Sequence, residues 1–266
     1  MIFGLRATAA RWLDASRPAV LVEVTASKGS VPREAGTRML VSAAEVAGTI
    51  GGGHLELKAI AAAREMLAAG TGTTPREQHY ALGPALGQCC GGAVTLRWAH
   101  VSAADLADWP EPAPRFHLQL YGAGHVGRAI AALLAGIPCR VQWIDEREDQ
   151  FPPRASPPHI ERICVEPVEA EVAVAPPGAY VLVLTHSHDL DLAITEAVLR
   201  RGDFGYLGLI GSQTKRARFL RRFETRGIAP EALARLHCPI GRPGIRGKEP
   251  EVLAVSVVAS LLLLGA

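Results

Sequence analysis

Residues 116–145 do most to limit what this chain can fold into. Phe116–Tyr121 is an apolar run with strand character, followed by Gly122-Ala-Gly124-His-Val-Gly127 and an apolar helical segment, Val126–Leu134. A second apolar run, Val141–Ile144, ends at Asp145. In this pattern the first glycine allows a tight turn, the second lets a phosphate approach the backbone, and the third lets helix and sheet pack closely. The start of the helix offers free N–H groups and the positive end of a dipole to an anion. An acid at the end of the next strand is where a ribose would be gripped. The stretch predicts a Rossmann-type unit. It leaves open whether the turn holds NAD(P), another phosphate or nothing, because fold does not fix function.

The alternation continues to the end of the chain. Strands are predicted at 116–121, 139–144, 180–184 and 206–210, and helices at 125–135, 190–201, 212–225 and 249–264. Such alternation predicts an α/β fold with a doubly wound parallel sheet over 115–266. The stretch 151–178 holds seven prolines and yields no clear element. Residues 102–114 are proline-rich without an apolar period and read as a linker. Before them, 1–101 reads as a mixed α/β domain. It has helices at Leu5–Ala15 and His54–Ala69 and strands at 19–25, 36–42, 45–50, 77–82 and 93–98.

Composition narrows the function classes. A net charge of +2 on 266 residues argues against nucleic acid and against an acidic membrane surface. Five cysteines, odd in number and without framework spacing, point to a reduced, cytoplasmic protein. Met1–Ala19 is broken by charges and does not read as a signal peptide. Val252–Ala266 is almost wholly apolar but falls short of the ~20 residues that cross a bilayer. It predicts a helix buried in the core or at a subunit interface, and no membrane span.

Several segments carry candidate chemistry. Gly87-Gln-Cys89-Cys90-Gly91-Gly92 sets two thiols in a glycine-lined segment, suited to a soft metal or to sulfur transfer, or else simply a packed turn. Gly51-Gly52-Gly53 at a helix start makes a nest of N–H groups for an oxyanion, with Arg33 and Arg38 as bidentate partners. The alternative there is a plain glycine turn with surface arginines. Thr185-His186-Ser-His188-Asp189-Leu-Asp191 invites a metal reading, but Leu192 stands where a further ligand is expected. His186 as a ligand-contacting or proton-handling group fits better, and a helix-entry loop capped by Asp189 is the plain alternative. Ser212 is a fitting helix cap, and Lys215 and Arg216 can face an anion or solvent. Gly241–Lys248 is a second basic, glycine-rich loop: a phosphate clamp or a surface turn.

Taken in order, these motifs resemble the XdhC/CoxI family of xanthine dehydrogenase accessory proteins. The matching pieces are Gly29-Ser-Val-Pro-Arg33 with Gly36 and Met39, Gly51-Gly-Gly53-His-Leu-Glu56, Gly87–Gly92, Gly122–Gly127, Thr185-His186, Gly208–Ser212 with Lys215, and Pro239-Ile-Gly241. The resemblance implies an N-terminal accessory domain and a C-terminal Rossmann domain. It also implies binding of molybdenum cofactor, sulfuration with a cysteine desulfurase, insertion into apo xanthine dehydrogenase, and a homodimer. The family's cysteine, directly before Gly-Gly, maps to Cys90, the expected metal contact; Cys89 is extra. The loop Arg242–Lys248 is more basic than is usual in the family. No nucleophile–base–oxyanion set stands out, which favours a carrier over a catalyst. The alternatives are an NAD(P)-dependent oxidoreductase with His186 as acid/base, and a redox scaffold acting through Cys89 and Cys90.

Overall fold

The computed structural model describes residues 4–70, 74–83, 91–107, 109 and 113–264. The chain divides into two compact units, Met1–Pro112 and Ala113–Ala266.

The first unit is an antiparallel sheet with helices. Its elements are α1 (Leu5–Asp14), β1 (Val20–Lys28), β2 (Arg38–Val41), β3 (Val46–Gly48), α2 (Gly53–Ala68), β4 (Arg76–Ala81), β5 (Ala93–His100) and α3 (Ala103–Ala107). The strand order is β3-β2-β1-β5-β4. Alternation along β1 turns Val20, Val22 and Val24 inward, where they meet Leu55, Ala59 and Ala63 of α2. Trp98 donates its indole N–H to the Ala59 carbonyl at 3.0 Å, so a large ring is buried without stranding its polar atom. Leu5, Ala9 and Trp12 of α1 form a smaller core with Leu40 and Trp109. The beginning of the predicted linker is therefore folded. Arg6 Nε donates to the Leu106 carbonyl at 2.9 Å, and Trp109 is buried. The proline-rich composition concealed a short helix held by α1.

The second unit is the predicted α/β sandwich. It runs β6 (His117–Tyr121), α4 (His125–Leu134), β7 (Arg140–Asp145), β8 (Ile160–Cys164), a 3₁₀ segment (Val168–Val174), β9 (Tyr180–Val183), α5 (His188–Arg201), β10 (Tyr206–Leu209), α6 (Gln213–Thr225), α7 (Pro230–Ala234), β11 (Leu236–His237) and α8 (Pro250–Leu264). The six strands are parallel in the order β8-β7-β6-β9-β10-β11. This is doubly wound topology with its reversal between β6 and β9, the place where such sheets open a ligand crevice. α4 and α8 cover one face through Ile130, Leu134, Val257 and Leu261, and α5 and α6 cover the other through Ile194, Val198, Phe219 and Phe223. The stretch 151–178, which gave no element from sequence, supplies β8. Four prolines lie before this five-residue strand and three after it, so none has to donate to the ladder.

Of the two burials expected for α8, in the core or at a subunit interface, the single chain supplies the first for one side of the helix. Ala254, Val257, Val258 and Leu261 are buried, while Val255, Leu263 and Leu264 are exposed. Its small buried residues pack on α4, and the opposite side is apolar without being covered by a described residue. Among the described residues no helix is long and apolar enough to cross a membrane.

Leu261 is fully buried and Val255 half exposed. Leu261→Ala should lower unfolding free energy by about 2–5 kcal/mol. Val255→Ala should change it by no more than about 0.5 kcal/mol. Urea unfolding measures both, and equal effects would show that the helix packs by a different face.

Candidate functional site

In the first unit three glycine motifs meet. Gly92 donates its N–H to the Ser30 carbonyl at 3.1 Å and accepts from Leu82 N–H at 2.7 Å. A Cβ at Gly92 would lie 2.5 Å from the carbonyl oxygens of Lys28 and Ser30, and one at Gly29 would lie 3.2 Å from Gly92 Cα. A Cβ at Gly51 would lie 2.4 Å from Pro32 Cβ. The Gly29–Arg33 turn is thus held between the end of the cysteine segment and the triple glycine. Gly91 is exposed, with open space where a Cβ would stand. Cys89 and Cys90 themselves lie outside the described residues.

The triple glycine makes the expected nest, with φ values of +120°, +76° and +67° at Gly51, Gly52 and Gly53. Its anion comes from the chain itself. One Glu56 carboxylate oxygen accepts from Ile50 N–H and Gly52 N–H, each at 3.0 Å, and from the Thr49 hydroxyl. Glu56 sits in the first turn of α2 and reaches back to the loop, so the expectation of an open cradle for an external oxyanion is corrected. Arg38 is also engaged: it pairs with Glu23 at 2.8 Å and lies 5.0 Å over the Trp109 ring. What remains is Arg33, exposed and without a hydrogen bond or ion pair to a described residue, and the start of α2, which has no side-chain cap.

In the second unit the turn Gly122–Gly127 joins β6 to α4. Its glycines differ in role. A Cβ at Gly122 would lie 2.3 Å from the Leu184 carbonyl oxygen, and one at Gly127 would lie 2.0 Å from that of Gly122. At Gly124 a Cβ would meet nothing within 4 Å. The outer two permit close packing, and Gly124 leaves the backbone approachable at the start of α4, which has no side-chain cap.

Asp145 does not serve as the predicted ribose acceptor. Its carboxylate accepts from Ala123 N–H at 2.7 Å, from Arg147 N–H at 3.0 Å, and from the Arg147 guanidinium at 2.9 and 3.0 Å. A carboxylate has about four acceptor positions, so none is left for a diol. Burial by itself raises the Asp145 pKa. Hydrogen bonds from Arg147 and Ala123, with the Arg147 charge, outweigh it and hold the carboxyl below the ordinary value.

His186 extends from the end of β9, and its Nε2 lies 3.5 Å from Oε1 of Glu146 at the end of β7. β6 lies between those two strands, so the contact reaches across the end of β6. Among the described residues no group of three His, Cys, Asp or Glu is placed to hold a metal. Asp191, which suggested one, is buried and accepts from Thr185 N–H at 3.0 Å and its hydroxyl at 2.8 Å, and it pairs with Lys215. Lys215 also donates to the Ile210 carbonyl at 2.9 Å. The reading of Lys215 as an anion-facing cation is therefore corrected: it ties the loop after β10 to the loop after β9. Ser212 does cap α6, accepting from Lys215 N–H at 3.2 Å, whereas α5 is capped by Ser187 rather than Asp189. In the loop after β11, Arg242, Arg246 and Lys248 are all exposed.

The residues that sequence reasoning missed are Glu56, Glu146, Arg147 and Asp191 in their pairing roles. A glutamate in the first turn of α2 was the available sign for Glu56, since such acids commonly turn back to free N–H groups.

Two sequence families match the chain. The XdhC Rossmann domain matches residues 118–261, and the XdhC and CoxI family matches residues 12–80. Among curated proteins, the uncharacterized protein YqeB of Escherichia coli (strain K12) is 31% identical over 263 residues. The alignment takes in 96% of this chain but 45% of that protein, so the chain spans about half the length of this relative. Among solved structures, a crystal structure described as a xanthine dehydrogenase from Bacillus halodurans superposes with a TM-score of 0.71. It is 19% identical and covers 97% of this chain and 95% of that one; at this identity the likeness is one of fold.

The clamp on Asp145 has a pH signature. Its pKa is lower in the folded state, so its contribution is present above the ordinary Asp value of about 3.9 and fades as pH falls through the lower, folded value. Asp145→Asn should cost about 1–3 kcal/mol at pH 7. The gap between variant and wild type should narrow in urea melts at pH 3 and below. A gap that does not depend on pH would mean that the ionised carboxylate is not what holds the turn.

Proposed function

The chain belongs to the XdhC and CoxI family, and from that premise we propose that it binds molybdenum cofactor, shelters it during sulfuration and delivers it to an apo xanthine dehydrogenase. The observation that supports this most is the convergence of Gly29–Arg33, Gly51–Gly53 and Gly91–Gly92 within one unit. It fixes the end of the cysteine segment beside an arginine that has no partner among the described residues and a helix start without a side-chain cap.

The donor set fits an anionic pterin at one end. Arg33 suits a phosphate by bidentate contact, and the first N–H groups of α2 suit an oxyanion. Cys90 supplies the soft donor for molybdenum or for incoming sulfur. When bound, the cofactor brings a molybdenum centre held through a dithiolene; the chain orients it and keeps it from water. In the second unit, taken by itself, the opening at Gly124 and the start of α4 suit a phosphate, that of NAD(P) or, as the alternative to Arg33, that of the cofactor, with His186 beside it. A cysteine desulfurase, a homodimeric state and a cytoplasmic setting belong to the same proposal. An NAD(P)-dependent oxidoreductase is the weaker reading, because Asp145 has no acceptor position to offer an adenosine ribose.

Two variants test this. Cys90→Ala should lower molybdenum cofactor retention about tenfold, or ~1.4 kcal/mol, and Cys89→Ala should lower it less. Retention is measured by equilibrium dialysis with circular dichroism as the control for folding. Wild-type retention in Cys90→Ala would remove that residue from the site. Gly124→Val is compatible with the extended backbone at that position, φ −68° and ψ −172°, so the turn should form. It should block binding of molybdenum cofactor, of NAD(P), or of both. If both titrate as in wild type, the turn is only structural.

A further inference from the structure

α4 follows β6 and α8 follows β11, so both helices run back along the sheet from the carboxyl ends of its strands. They lie side by side over one face and cover it with Ile130, Leu134, Val257 and Leu261. Their outer surface is unlike an ordinary solvent face. Residues 129–138 and 252–264 contain no charged residue at all. On α8, Glu251, Val255, Ala259 and Leu262 stand at i, i+4, i+8 and i+11 and form one stripe. Val255 is 50% exposed, and Leu133, Leu263 and Leu264 are exposed as well. A helix that is apolar all round is normally covered on every side, and a contiguous exposed apolar patch marks a contact surface.

Between the two helices runs a groove of about 570 Å³ whose charges are confined to its head. Arg128 lies in the first turn of α4 and Glu251 in the first turn of α8. They line the groove from opposite walls without pairing, and neither side chain has a partner among the described residues. His125 stands at the same end, and below it the walls are Ala129, Ala132, Leu133 and Val255.

We propose that this face is where two copies of the chain meet, related by a two-fold axis that runs parallel to the helices. In such a contact residue i of one copy meets j of the other, and j meets i. An axis along the helices keeps both groove heads at the same end. Arg128 of each copy then meets Glu251 of the other, and the charge-free stripes close against each other below. One free cation and one free acid at the same level make the patch complementary to itself. An acidic partner would set like charge against Glu251, and a basic one would set it against Arg128. Each glycine turn directly precedes α4, so both turns open at the same end of the pair. This surface presupposes the homodimeric state proposed above and locates it. In the single chain Val255 is exposed, so its small effect on unfolding is expected at protein concentrations too low for pairing.

Sedimentation velocity of the full chain over a range of micromolar concentrations tests it. The wild type should sediment as a dimer. Val255→Asp and Leu133→Asp, one on each helix and both at exposed positions, should each raise the dimer dissociation constant about tenfold or more, with unchanged melting temperatures. Arg128→Glu alone and Glu251→Arg alone should each weaken the dimer about tenfold, because each sets like charges against each other twice. The two exchanges combined in one chain should restore pairing to within severalfold of the wild type. A wild type that stays monomeric overturns this surface and the homodimeric state together. A wild-type dimer that both aspartate variants leave intact overturns this surface alone. So does a double exchange that pairs no more tightly than either single one.

Discussion

Two backbone contacts set the geometry of the C-terminal unit. Leu184 O stands 2.3 Å from the place of a Cβ at Gly122, and Gly122 O stands 2.0 Å from the place of one at Gly127. Any side chain there must push β6 away from the loop after β9, or lift α4 off the sheet. The contacts therefore fix the reversal of strand order and the start of α4 together. Other interactions build on this placement. Trp143 Nε1–H donates to Gly122 O at 3.0 Å, Leu184 N–H donates to Tyr121 O at 2.9 Å, and Ala123 N–H points into the Asp145 carboxylate. The switch point, where doubly wound sheets place their ligands, is thus set by close packing before any ligand is considered.

Both glycine-rich backbones already hold a carboxylate of the chain itself, Glu56 in the triple-glycine nest and Asp145 beside the turn. Hydrogen bonds to charged groups are worth about 1.5–3 kcal/mol each. An external anion would have to exceed several of these at once to displace either side chain. The glycine loops are thus held in shape by internal anions. The groups left for a ligand are those that these anions do not satisfy: Arg33, the starts of α2 and α4, and the open backbone at Gly124. Asp191 follows the same economy, joining the loops after β9 and β10 through Thr185 and Lys215.

What could be read from sequence was what is decided locally. The strand–glycine–helix unit and the Ser212 cap depend on residues within a few positions of each other, and both formed as expected. β8 was hidden because the prolines around it dominate the composition, although none lies inside Ile160–Cys164. The partners of charged residues were not legible. Lys215 has as neighbours a basic helix and a glycine loop, yet its counterion is Asp191, which folding brings from the first turn of α5. Asp145 carries the right residue type at the right spacing for a ribose, but Arg147, two residues on, closes it. The tail helix was legible only in part for a different reason. Its exposed side carries Val255, Leu263 and Leu264 beside a single acid, Glu251, and one acid is too little of a polar stripe to mark which side faces outward.

The contacts around the switch point also differ in strength. The Asp145 carboxylate is almost wholly buried and holds four donors, so breaking its clamp strands a charge away from water. The His186–Glu146 contact is longer, at 3.5 Å, and its side chains are 41% and 23% exposed. Solvent replaces such a contact readily, and exposed pairs of this kind contribute about 0–1 kcal/mol. If a ligand lies over the glycine turn as proposed, the weaker His186–Glu146 contact is the one it would displace, with the Asp145 clamp and the shape of the turn kept.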